Sequence, residues 1–136
     1  MNLVQLKESL NKIYSIIPDF KCKHCHSCCG PIIWFEPENY FIKDYVKKHN
    51  ISLKKFEDKC PFLDYDGCTI YPVRPIVCRL QGLIKELPCK NNKKIYLSDI
   101  DLKKIKNEFN KILTLTNGYK YFYSSRNFFK QNYTTQ

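Results

Sequence analysis

The chain has 136 residues, which makes one domain the expectation, and eight of them are cysteine, a high share at this length. Its formal net charge is +10, from 23 Lys and Arg against 13 Asp and Glu. With 43% hydrophobic and 15% aromatic residues the chain is not disordered throughout, and no apolar run nears the roughly 18–20 residues of a membrane helix.

In chain order, Leu3, Leu6, Leu10, Ile13 and Ile17 recur at three- and four-residue steps and predict an amphipathic helix over 3–17, stopped by Pro18. Residues 20–35 show no hydrophobic period and carry Cys22, Cys25, Cys28 and Cys29, as backbone wrapped around a metal would. Pro37 suits the first turn of a helix to about His49, with Phe41 and Tyr45 inward and Asn50 as its stop. Ser52 is positioned to cap a short helix through Asp58.

Residues 60–71 read as a small hairpin, with Asp66-Gly67 as the turn dipeptide. Pro72 and Pro75 bracket a bend into a short helical turn holding Cys78, and 80–92 reads as irregular, with Cys89 inside it. The longest helix is expected from Ser98 to about Thr116, with Ser98 and Asp101 approximating a capping box. Its apolar face is Leu102, Ile105, Phe109, Ile112 and Leu113, and Asn117-Gly118 ends it. Tyr119–Tyr123 reads as a strand or an extended packing segment, and the tail from about 131 as frayed.

The first ten residues have neither a basic nor an apolar signal region, so the expected location is the cytoplasm. Thiols stay reduced there, and eight cysteines then point to metal or redox chemistry rather than a disulfide framework. Cys22, Cys25, Cys28 and Cys29 form C-x2-C-x2-C-C. Three sulfurs at two-residue gaps match three corners of a cubane 4Fe–4S cluster, and Cys60, followed by Pro61, is a candidate fourth. Adjacent residues in extended backbone face opposite ways, so Cys29 is free to serve a second site with Cys68, Cys78 and Cys89. One site plus spare structural or redox cysteines is an equal reading.

Zinc is the direct rival, since C-x2-C pairs also build tetrahedral zinc sites, but the third Cys at the next interval favours iron–sulfur. His24 and His26 read as solvated loop residues or as partners of the site, and His49 as a surface residue at a helix end. Arg74 and Arg79 flank Cys78 in a chain where 20 of the 23 basic residues are Lys. Choosing Arg there suits either a buried carboxylate or an anionic cofactor, whose reduction potential nearby cations would raise. The alternative is an ion pair with Asp64, Asp66 or Glu86 bracing the hairpin. The lysine excess, with no alanine in the chain, reflects compositional bias as much as a basic surface. Two four-thiolate sites would also bring +10 to about +6, so a nucleic-acid partner is allowed by charge but not favoured.

C-x2-C-x2-C-C, then Cys60-Pro-Phe-Leu, Gly67-Cys-Thr-Ile-Tyr and Arg74-Pro-Ile-Val-Cys-Arg resembles the YkgJ-like cysteine-cluster family, whose domain is described as chelating zinc or iron. The resemblance spans Cys22 to about Gly82. It implies metal binding by Cys22, Cys25, Cys28, Cys29, Cys60, Cys68 and Cys78, while Cys89 lies outside the pattern. It implies no single reaction. The flagellin lysine methylase is similar over the cysteine core, yet this chain has no Gly-rich nucleotide loop.

The combined expectation is a single α+β domain over 1–136, mainly α, with two or three amphipathic helices around an irregular cysteine-rich core and a short β-hairpin. Its expected role is to hold a 4Fe–4S cluster for electron transfer or for supply to a redox or protein partner. The alternatives are a zinc-stabilised module binding nucleic acid or protein, with Tyr119, Tyr121, Phe122 and Tyr123 near lysines, and an accessory or catalytic part of a methylase-like system.

Overall fold

A computed structural model of the chain describes residues 1–19, 32–53, 60–64, 67–89 and 96–123. Cys22, His24, Cys25, His26, Cys28 and Cys29 lie outside these residues, as do most of the helix expected over 52–58 and the tail from 131.

Helix α1 spans Leu3–Ile16 and begins in a capping box, Asn2 accepting from the Gln5 N–H and Gln5 reaching back to the Asn2 N–H. Leu6, Leu10 and Ile13 are buried with Ile17, whereas Leu3, the first residue of the expected stripe, is 56% exposed. Helix α4 spans Asp99–Thr116. The Ser98 hydroxyl accepts from the Asp101 N–H, and Asn117 takes the left-handed conformation at φ 50°, so this helix ends where its sequence predicts. α1 and α4 pack together, and Ile105, Phe109, Ile112 and Leu113 meet the α1 stripe. Leu80, Leu83 and Ile84 complete this first cluster. The 80–89 stretch is irregular, as expected, but it closes a core through a bridge between Ile84 and Leu87.

Helix α2 spans Glu36–Lys48, with Pro37 in its first turn. Its buried residues are Pro37, Glu38, Ile42 and Val46; Phe41 and Tyr45, expected inward, are half-buried. The helix is turned by about one residue from that expectation because it packs between two clusters rather than against one. Asn50, at φ 49°, reverses the chain after it.

Strand β1 (Ile33–Phe35) pairs antiparallel with β4 (Tyr121–Tyr123), with Trp34 opposite Phe122. Alternation along β1 sends Trp34 into a second cluster and Phe35 toward the first, where its ring meets Phe109 edge-on at 6.0 Å. The second cluster holds Trp34, Ile42, Val46, Cys60, Phe62, Ile70 and Phe122. The Trp34 ring stacks near Phe122, and its Nε1–H donates to Asn39 at 3.0 Å.

The hairpin is β2 (Leu63–Asp64) against β3 (Gly67–Cys68), with Leu63 opposite Cys68 and Asp64 opposite Gly67. Gly67, expected in the turn dipeptide, is thus paired in the strand. Gly67 is the first residue of β3, at φ 118°, a conformation open to glycine. A 3-10 turn over Tyr71–Val73 leads through Pro75 into the short helix α3, Ile76–Leu80. The architecture is α+β and mainly α, with a second antiparallel strand pair, β1–β4, added to the expected hairpin.

Candidate metal centre

The described cysteines are Cys60, Cys68, Cys78 and Cys89. The hairpin brings Cys60 and Cys68 together. The Leu63 N–H donates to the Cys60 carbonyl at 3.0 Å, and the Thr69 N–H and hydroxyl both donate to the Phe62 carbonyl, at 2.9 and 2.6 Å. These bonds hold the Cys60–Leu63 turn against β3, so the two thiols feel each other's charge.

Cys60 is buried in the apolar second cluster. Burial pushes its thiol up to about 12, Cys68 adds to the rise, and the Phe62 N–H directed at the sulfur opposes it. A sulfur within electrostatic reach of another and facing a backbone N–H fits a divalent ion or an iron–sulfur cluster. The cation stabilises both thiolates, and N–H donors to sulfur are part of such sites. Among the described residues no three His, Cys, Asp or Glu side chains form a group able to hold a metal ion.

Cys78 lies in α3, half-buried, and its N–H bonds the Pro75 carbonyl at 3.0 Å. The flanking arginines fasten this bend. Arg79 donates from Nε to the Arg74 carbonyl at 2.8 Å and from Nη2 to the Pro72 carbonyl at 3.1 Å, with its guanidinium 3.8 Å above the Tyr14 ring. Arg74 donates to the Tyr71 carbonyl at 2.9 Å, covers the Tyr71 ring at 3.8 Å and lies 3.6 Å from Asp19. The fork geometry that Arg offers over Lys is thus used on backbone carbonyls and aromatic faces. Cys89 is half-buried at the end of the irregular stretch, after Pro88, whose carbonyl accepts from Gln81 at 2.8 Å. His49 stacks on Tyr45 at the exposed end of α2, as its sequence position suggests.

Sequence reasoning passes over Glu38, which is 1% exposed. Its Oε2 accepts from the Tyr14 hydroxyl and, at 2.7 Å, from the Ile76 N–H, while Oε1 is buried with no hydrogen-bond partner. Burial raises this carboxyl to about 7, against the two hydrogen bonds and the nearby Arg79, which lower it. The Tyr14 hydroxyl is raised as well, by burial first and then by Glu38. A glutamate at the third position of a helix reads as an ordinary first-turn acid, and only the tertiary packing reveals its role.

Compared with known families, the chain matches the CxxCxxCC family, described as a "putative zinc- or iron-chelating domain", over residues 21–98. That is more than half of the chain. The chain belongs to this family. The match includes all eight cysteines and agrees with the YkgJ-like resemblance. CxxCxxCC membership supports metal binding by the cysteine-bearing segment, and the description leaves zinc and iron equal. Neither the comparison with curated proteins nor that with solved structures gives a match. No helix among the described residues is long and apolar enough to cross a membrane.

Proposed function

We propose that the chain holds a 4Fe–4S cluster through its cysteines, for electron transfer or for supply to a redox or protein partner. The observation that carries this reading is the run of three sulfurs at two-residue gaps, with Cys60, next to Pro61, as a remote fourth donor. The proximity of Cys60 to Cys68, and the Phe62 N–H directed at the Cys60 sulfur, support Cys60 as a donor. Because no three candidate donors gather among the described residues, a four-sulfur centre draws at least two donors from Cys22, Cys25, Cys28 and Cys29.

The test is purification without oxygen, followed by iron, zinc and acid-labile sulfide per chain and a visible spectrum. About four iron and four sulfide, or twice that, with a brown oxygen-sensitive colour, is the expected result. Colourless protein with stoichiometric zinc overturns it. A zinc-stabilised binding module is then the second reading, favoured by the exposed Lys103, Lys104, Lys106 and Lys111 on α4. That reading predicts retention on heparin that falls steeply with salt.

A further inference from the structure

Helix α3 has five residues, too few to hold its own conformation, so the placement of Cys78 depends on what anchors the helix from outside. Two anchors lie on either side of this cysteine. Before it, the Ile76 N–H is tied to Glu38 Oε2 at 2.7 Å. After it, Arg79 rests on the Tyr14 ring at 3.8 Å and bonds the carbonyls of Pro72 and Arg74. Both anchors converge on Tyr14, whose hydroxyl donates to Glu38 and whose ring carries Arg79. The two long helices α1 and α2 thereby hold α3 through one buried carboxylate and one phenol.

We propose that Glu38 is a positioning residue for Cys78, fixing the start of α3 from the Tyr14–Glu38 pair so that the thiol is presented to the metal centre. The proposal rests on the metal-chelating reading above. Both hydrogen bonds to Glu38 end on one oxygen, and Oε1 has neither donor nor acceptor. The neutral acid, with its proton on Oε1, therefore serves this role as well as the carboxylate does. A glutamine has the same shape and one carbonyl oxygen for both donors. Leucine keeps the volume but leaves the Tyr14 hydroxyl and the Ile76 N–H without their acceptor.

The experiment compares wild type, Glu38→Gln, Glu38→Leu and Tyr14→Phe as full chains. Per-cysteine alkylation rates are read by mass spectrometry after chelator treatment, and thiolate charge-transfer absorbance after loading with Co(II). Alkylation of Cys78 is expected to rise about tenfold in Glu38→Leu and less in Tyr14→Phe, with Cys89 unchanged and Glu38→Gln within about twofold of wild type. The Glu38→Leu protein should also show lower charge-transfer absorbance per bound Co(II), restored in Glu38→Gln. An unchanged Cys78 rate in Glu38→Leu overturns the proposal. Should Glu38→Leu accelerate every cysteine alike, Tyr14→Phe decides, and a rise there not confined to Cys78 overturns it too. Wild type that takes up no Co(II) overturns the chelating reading alone, since the alkylation pattern is measured without metal.

Discussion

Cys60 and Gly118 show how single residues carry local demands. Cys60 sits in an apolar cluster beside a second thiol, where a protonated sulfhydryl is the stable form unless a cation is bound. Burial alone suits a protonated thiol; what fits a ligand is the second thiol nearby and the Phe62 N–H directed at the sulfur. The ligand spacing of the C-x2-C-x2-C-C run makes Cys25→Ser a direct test. Metal content and melting temperature should both fall, and full occupancy with an unchanged melting temperature would refute the assignment of Cys25 as a ligand. Gly118 follows the left-handed Asn117, and a Cβ on it would lie 2.7 Å from Pro37 Cδ and Cγ. Proline is rigid, so the contact cannot relax by a rotamer change. Gly118→Ala should cost about 1–3 kcal/mol in urea unfolding, with no change in metal content. A variant as stable as wild type would show that α4 and α2 can separate freely at this point.

At the scale of elements, the Glu38 carboxyl joins α1, α2 and α3, and this junction has a pH signature. Its folded value of about 7 lies above the ordinary carboxyl value of 4.5. The folded state therefore binds the proton more tightly than the unfolded state does. The stabilisation is full below about pH 4.5 and is lost as pH rises through about 7. The linkage amounts to about 3 kcal/mol at most. Urea midpoints at pH 5 and pH 8 should differ more for wild type than for Glu38→Gln, and equal differences would sink this account. The element pattern also shows what periodicity carries. α1 and α4 were legible because each has one apolar stripe and flanking stop or cap residues. α2 was legible in extent but not in rotation, since its buried Ile42 and Val46 enter the second cluster while the half-buried Phe41 lies against the first. β1 was not legible, because a three-residue strand has no period to read and its partner is about 90 residues away.

Across the whole molecule, the two apolar clusters differ in their relation to the cysteines. Among the described residues the α1–α4 cluster contains none, while the other buries Cys60 beside Trp34, the chain's only tryptophan. Removing metal should therefore loosen the second cluster first. Chelator treatment is expected to shift Trp34 emission to the red while most of the helical circular dichroism persists. Loss of both signals in step would show that the clusters form one cooperative unit and would overturn the expectation. The basic charge is a property at this scale too: lysines are spread over α2 and α4, and net charge of this kind bears on solubility and association rather than on the fold.

By itself the sequence determined the main helices, the hairpin and the cysteine run, because periodicity, caps and ligand spacing are local patterns that survive without knowledge of neighbours. It also determined family membership, which rests on the order of those local motifs. Only the tertiary structure decided that Arg74 and Arg79 brace the bend around Cys78, that Cys60, buried in an apolar cluster, lies within electrostatic reach of Cys68, and that Glu38 is buried under Tyr14 and Ile76. Each of these depends on groups distant in the chain meeting at one point. An arginine fork, a thiol or a carboxylate carries no mark in the sequence of which distant partner it will meet, or of how much water will remain around it.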